Sequence, residues 1–179
     1  MAAFRCGSFA HRFPPVSEPT GTVISINRSI GGVPKLPVTE VFVSESGLAG
    51  DAHRFHMHGG PDKAVCVYAA ECIESLQREG HPIGIGTTGE NITIRGLVWD
   101  QIVPGVCLKL GAVMIEVTEF ASPCQSIVGS FADGHSKRIS QKVRPGWSRV
   151  YGRVLTEGVM RVGDAATVVV RPSRGLKKT

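Results

Sequence analysis

The sequence predicts a mixed α/β, β-rich fold: a barrel-like, mainly antiparallel sheet with few helices. Three observations predict it. Short β-prone runs recur along the chain, Gly and Pro punctuate the gaps between them, and one stretch alone carries a convincing helical pattern. Many short strands with frequent turns point to a barrel or sandwich-like sheet rather than a doubly wound one, which would alternate strands with helical patterns.

The elements follow in order. Residues 1–20, with Pro14, Pro15 and Pro19, read as an irregular lead-in. Strands are expected at "TVISIN" (22–27), "TEVFVSES" (39–46) and "KAVCVY" (63–68). A helix is expected at about 69–79, where Ala69, Cys72, Ile73 and Leu76 share a face and Gly80 supplies the stop. On its outer side Glu74 and Arg78 have the spacing of an i,i+4 ion pair. Further strands are expected at "NITIRG" (91–96), "VCLKLG" (106–111), "AVMIEVTEF" (112–120), "RVYGRVL" (149–155) and "DAATVVVR" (164–171). In the longest of these, Val113, Ile115 and Val117 alternate with Met114, Glu116 and Thr118 at the two-residue period of a half-buried strand. That strand runs into "SPC", where Pro123 cannot donate to a ladder and restricts Ser122 to extended geometry. Pairing should stop there and leave Cys124 just beyond the strand end.

A chain of 179 residues is long enough for one good core and short for two, so a single domain over 21–170 is expected, followed by a basic, disordered tail at 171–179. Apolar content of 42% and charged content of 20% are ordinary for a globular protein. No window approaches the run of apolar residues a membrane span needs, and the opening "MAAFRCGSFAHRF" lacks a secretory h-region. Arg5 and Arg12, with no acid before Glu18, give it only a faint transit-peptide character, and a cytoplasmic location is expected. The net charge of +5 suggests nucleic acid until it is located. Arg171, Arg174, Lys177 and Lys178 sit in the tail, and the remainder is nearly balanced, so neither a nucleic-acid nor a membrane partner is expected. A local excess is more informative: Lys137, Arg138, Lys142, Arg144, Arg149 and Arg153 follow one another without an acid. Such a stretch either faces an anion or forms a solvated surface loop.

Five cysteines at 6, 66, 72, 107 and 124, an odd number without secretory context, argue against a disulfide framework. Cys66 and Cys107 lie in apolar strand runs and Cys72 on the helix face, where a small buried hydrophobe is expected. Cys124 alone falls in turn chemistry. Three other loops collect unusual polar residues: "GLAGDAHRFHMHGGPDKAV" (47–65), "TTGEN" (87–91) and "RPGWSRVYGRVL" (144–155). His53, His56 and His58 form an H-x-x-H-x-H run, but no second ligand pair at zinc-site spacing accompanies it, so no zinc is expected.

The order "GGVPK", "GLAGD", "HGGPDKAV", "GEN", "SPC", "RVL" and a closing "VGD" resembles the MOSC domain, named for the C-terminal domain of molybdenum cofactor sulfurases, over roughly residues 21–170. The resemblance implies a β-rich barrel that binds the pterin molybdenum cofactor, with the cysteine of "SPC", Cys124, as the sulfur-bearing residue. Molybdenum is soft enough to accept a thiolate, which would make Cys124 a metal ligand; the same sulfur could instead carry a persulfide. A nearby cation would lower the pKa of such a thiol, and the basic stretch of 137–153 is a candidate source. The cofactor's phosphate calls for backbone N–H groups and cations. Gly59 and Gly60 can adopt the positive φ that aims successive amides at an anion, Lys63 follows, and Arg153 of "RVL" could supply a bidentate contact with Arg149 as its competitor. Asp51 and Asn91 carry groups able to read the pterin ring, Ser122 flanks the thiol, and His58 of "HGG" could orient the loop or touch the cofactor, while His53 and His56 are expected to make local hydrogen bonds.

Two functions follow from the resemblance, and a third stands outside enzymology. One is a small oxidoreductase that reduces N-hydroxylated compounds, with a separate electron-donor protein because the chain has neither an iron–sulfur cysteine pattern nor a G-x-G-x-x-G unit. Another is a sulfur carrier or cofactor-handling module, loaded by a separate cysteine desulfurase since no pyridoxal-phosphate domain is expected in a chain of this length. The third is a non-catalytic binding domain with a vestigial site.

Overall fold

The computed structural model describes residues 20–52 and 60–169. The lead-in before Thr20, the histidine run with Gly59, and the basic tail lie outside the described residues. Eleven strands, one α-helix and four 3₁₀ turns make up the described part. They are β1 (Thr20–Arg28), β2 (Leu36–Val38), β3 (Glu40–Ser44), β4 (Gly47–Leu48), β5 (Val65–Ala69), α1 (Ala70–Arg78), β6 (Ile92–Arg95), β7 (Cys107–Leu110), β8 (Val113–Phe120), β9 (Val150–Thr156), β10 (Gly158–Arg161) and β11 (Ala165–Val169).

The main sheet runs β11-β7-β8-β9-β5-β6-β1 and closes because β11 also pairs with β1, giving a seven-strand barrel with β2 appended to β1. Closure leaves no free edge in the ring, so every strand has its ladder hydrogen bonds on both sides. Pairing is antiparallel except for β5 with β6. That pair must be parallel because α1 carries the chain from one to the other, the crossover a parallel pair requires. α1 presents Ala70, Cys72, Ile73 and Leu76 inward, as the sequence pattern predicts. With α1 on its outer side and the core on its inner side, β5 is buried at every position, which explains the continuous apolar "VCVYA". By contrast β8 shows the alternation of a strand with one wet face: Val113, Ile115 and Val117 are buried and their neighbours are not.

All eight expected strands are present. The small sheet β10-β3-β4 was only partly legible, since β4 is two residues long and β10 follows β9 almost without a turn signal. The expected Glu74–Arg78 pair does not form. Glu74 reaches instead across to the Arg95 guanidinium on β6, and Arg78 donates to Ser75 Oγ at 2.8 Å. A bidentate partner on the neighbouring strand outcompetes a single contact along the helix. No described helix is long and apolar enough to cross a membrane.

Candidate functional site

The site lies at one rim of the barrel, where the C-terminal ends of β1 and β8 meet the N-terminal ends of β5, β6 and β9. β8 ends at Phe120, as the proline predicts, and Cys124 follows in extended geometry (φ −123°, ψ 175°) at the head of a 3₁₀ turn spanning Gln125–Ser130. Cys124 is half-buried and lines a cleft with Gly32, Val33 and Lys35 from the loop after β1, Thr88, Gly89 and Asn91 before β6, and Cys66, Lys63, Ser122, Arg149 and Tyr151. The enclosed part of the cleft is about 80 Å³, and the empty space reaches about 710 Å³ with its open mouth.

Arg149 dominates the electrostatics. It is 4% exposed, and among the described residues no carboxylate lies within ion-pair distance of it. Its guanidinium donates to the Thr88 carbonyl and, at 3.4 Å, to the Ser122 carbonyl, while its Nε has no hydrogen-bond partner among the described residues. Glu90 acts on it through space as a counter-charge, and the Glu90 oxygens are themselves occupied by Gly86 N–H and, at 2.7 Å, Thr88 Oγ1. Burial raises the Glu90 pKa above its ordinary value, which weakens that compensation further. A buried cation with an orphaned donor at a cleft surface is a position for an anion. Beside it, burial pushes the Cys66 thiol up to about 11 against the pull of Arg149, so this second cleft cysteine is neutral at physiological pH.

Asp51 and Asn91 have their polar groups engaged inside the protein. Asn91 Nδ2 donates to Asp51 Oδ2 (2.8 Å) and the Asn27 carbonyl (3.2 Å), and its Oδ1 accepts from Cys66 N–H (3.1 Å). Asp51 accepts from Ser29 N–H at 2.8 Å and forms a buried ion pair with Lys35. These two residues fasten β1, β5 and β6 together beneath the cleft. Lys63 is at the cleft, 2.8 Å from Glu119 and over the Tyr151 ring at 5.4 Å. Gly60 has φ 91°, the positive φ its sequence predicts, and precedes the 3₁₀ turn Pro61–Lys63. His58 and Gly59 fall outside the described residues.

The two arginines separate. Arg149 enters the cleft, whereas Arg153 pairs with Asp62 (2.8 Å from Nε) and lies 3.9 Å from Glu116 on the barrel wall, 46% exposed, outside the cleft lining. The rest of the basic stretch also turns away: Arg138 pairs with Asp133 and Arg144 with Glu79. Sequence reasoning missed Lys35, Cys66, Thr88 and Tyr151 as cleft residues. "GGVPK" and "TTGEN" flagged the loops that hold Lys35 and Thr88, but nothing local distinguishes Cys66 or Tyr151 from ordinary strand residues. Among the described residues no group of three or more His, Cys, Asp or Glu is arranged to hold a metal ion by itself.

The MOSC domain family model matches residues 54–167. The chain belongs to the MOSC domain family. This is a family associated with molybdenum cofactor binding. Among MOSC relatives, the chain is 32% identical to an uncharacterized Bacillus subtilis protein, YflK, over 66% of its own length and 53% of that protein's. It is 31% identical to a Gibberella moniliformis protein named a reductase, over 74% of this chain and only 24% of that one. The chain therefore spans about half of one of these relatives and a quarter of the other. The crystal structure of YiiM from Geobacillus stearothermophilus is 29% identical and superimposes with a TM-score of 0.64, covering 86% of this chain and 77% of that one.

Proposed function

We propose that the cleft holds the pterin molybdenum cofactor and that the protein is a small oxidoreductase acting on N-hydroxylated compounds. The observation that carries this reading is the buried Arg149, without an ion pair among the described residues, facing the same cleft as the half-buried Cys124 thiol. The donor set fits the group: Arg149, whose Nε is unpartnered among the described residues, suits the phosphate end, Cys124 suits a soft metal, and Lys63, already paired with Glu119, lines the same cleft. The enclosed volume is well below the roughly 300–1,000 Å³ of a site that swallows its ligand. It therefore seats one end, with the ligand's body in the open mouth.

When bound, the cofactor would supply a redox-active molybdenum centre. The chain's own residues do the rest. The carbonyls of Thr88 and Ser122 hold the Arg149 guanidinium in place before any ligand arrives, so binding an anion needs no reorganisation there. Pro123 ends the strand and fixes the backbone that presents Cys124. The Asp51–Asn91–Lys35 network ties β1, β5 and β6 together beneath the cleft. Electrons for a reduction would come from a separate donor protein, with the cofactor and a small molecule as the other partners. The relative named a reductase favours this reading over a persulfide carrier.

The test is metal and pterin content of protein purified from a cofactor-producing host. Wild type is expected to carry both near stoichiometry, Cys124→Ser to lose the metal, and Arg149→Met to lose most of the pterin. The apo form of Arg149→Met is expected to be no more than about 1 kcal/mol less stable, because removing a buried unpaired charge also removes its desolvation cost. Metal and pterin absent from folded wild type would overturn the proposal; a mass gain of one sulfur on Cys124 after incubation with a desulfurase would then favour the carrier.

A further inference from the structure

Beside the Ser122–Pro123 segment lies a second, open-mouthed cavity of about 550 Å³. Phe120, Pro123 and Val143 give it apolar surface, and Lys137 and Lys142 give it charge. No acid lines it. Within the basic stretch the arginines are already paired, with Asp133, Glu79 and Asp62, or buried in the cleft. Lys137 and Lys142, by contrast, have no ion pair or hydrogen bond from their ammonium groups among the described residues. Val143 is 63% exposed. An apolar side chain left open beside two uncompensated cations, in a cavity large enough for a bicyclic molecule, matches one kind of ligand on both counts.

We propose that this cavity is a second binding site, for a small organic acid with a flat apolar body. The acid group is met by Lys137 and Lys142, and the body covers Val143 against Phe120 and Pro123. The site shares only Ser122 with the cofactor cleft and uses neither Cys124 nor Arg149, so it stands or falls independently of the proposed cofactor.

Calorimetric titration with 2-naphthoate tests it, with inorganic phosphate as the probe that has charge but no apolar body. Saturable naphthoate binding that weakens with added salt is expected, with phosphate weaker by about tenfold or more. Lys137→Gln combined with Lys142→Gln, and separately Val143→Asp, should each weaken naphthoate by roughly tenfold. All three positions are exposed, so the variants fold. Arg149→Met should leave naphthoate affinity unchanged. No saturable binding at millimolar naphthoate, affinity unchanged in both cavity variants, phosphate binding as tightly as naphthoate, or loss only in Arg149→Met would each overturn the proposal.

Discussion

Glu90 shows how a single residue's environment sets its chemistry. Fully buried between Gly86 N–H and Thr88 Oγ1, its carboxyl is held above its ordinary value of 4.5 chiefly by burial, against smaller pulls from its hydrogen bonds and Arg149. A carboxyl whose folded pKa is raised favours the fold most below its unfolded pKa, and that advantage is lost as pH rises through the folded value. Relative to Glu90→Gln, which keeps the shape without the charge, wild type should therefore lose stability as pH climbs from about 4 towards neutrality. Denaturant melts of both proteins across that range check it; a difference independent of pH would mean that Glu90 titrates normally. In the sequence, "TTGEN" marked this loop as irregular and placed Glu90 ahead of a strand. Its complete burial was not legible, because the groups that satisfy it are backbone and hydroxyl donors of the same turn folded over by β6 and Arg149.

At the scale of elements, the cleft depends on how β1, β5 and β6 are fastened. Asn91 is the knot: it bonds the backbone of β1 through Asn27, that of β5 through Cys66, and the Asp51 carboxylate after β4. Asn91→Ala would leave a buried carbonyl, an N–H and one acceptor position of Asp51 without their partner. A loss on the order of 2–4 kcal/mol is expected in urea unfolding, with the cleft loops more exposed to proteolysis. A loss below about 0.5 kcal/mol would show that water replaces the amide. The sequence supplied Asp51 and Asn91 as site residues, and both are at or beneath the cleft. It supplied them for ligand reading, and the structure shows their groups engaged in holding strands. Spacing cannot separate these roles, since both ask for the same donors and acceptors near the same loops.

For the whole molecule, the decisive event is closure of the barrel between β1 and β11, residues more than 140 positions apart in sequence. On its other side β1 packs tightly against β6 and the turn after it. A Cβ on Gly21 would sit 2.5 Å from the Arg95 carbonyl oxygen and 2.9 Å from Leu97 Cγ, so no larger residue fits where β1 passes β6. Gly21→Val should cost at least about 2 kcal/mol, whereas Gly129→Ala, with nothing within 4 Å of its Cβ, should be near neutral. Equal stability of the two variants by thermal or chemical melts would refute the steric account. The sequence by itself determined eight of the eleven described strands, the helix, the strand end before Pro123 and the thiol beyond it, because period, proline and glycine act within a few residues. It could not choose between Arg149 and Arg153. Both have the same parity along one strand, so local pattern puts them on the same face. Their level along the barrel differs: Arg149 stands at the rim, covered by the loops carrying Thr88 and Ser122, and Arg153 stands on the open wall beside Asp62. Only the tertiary structure decided which cation is buried, because loops distant in sequence supply the cover.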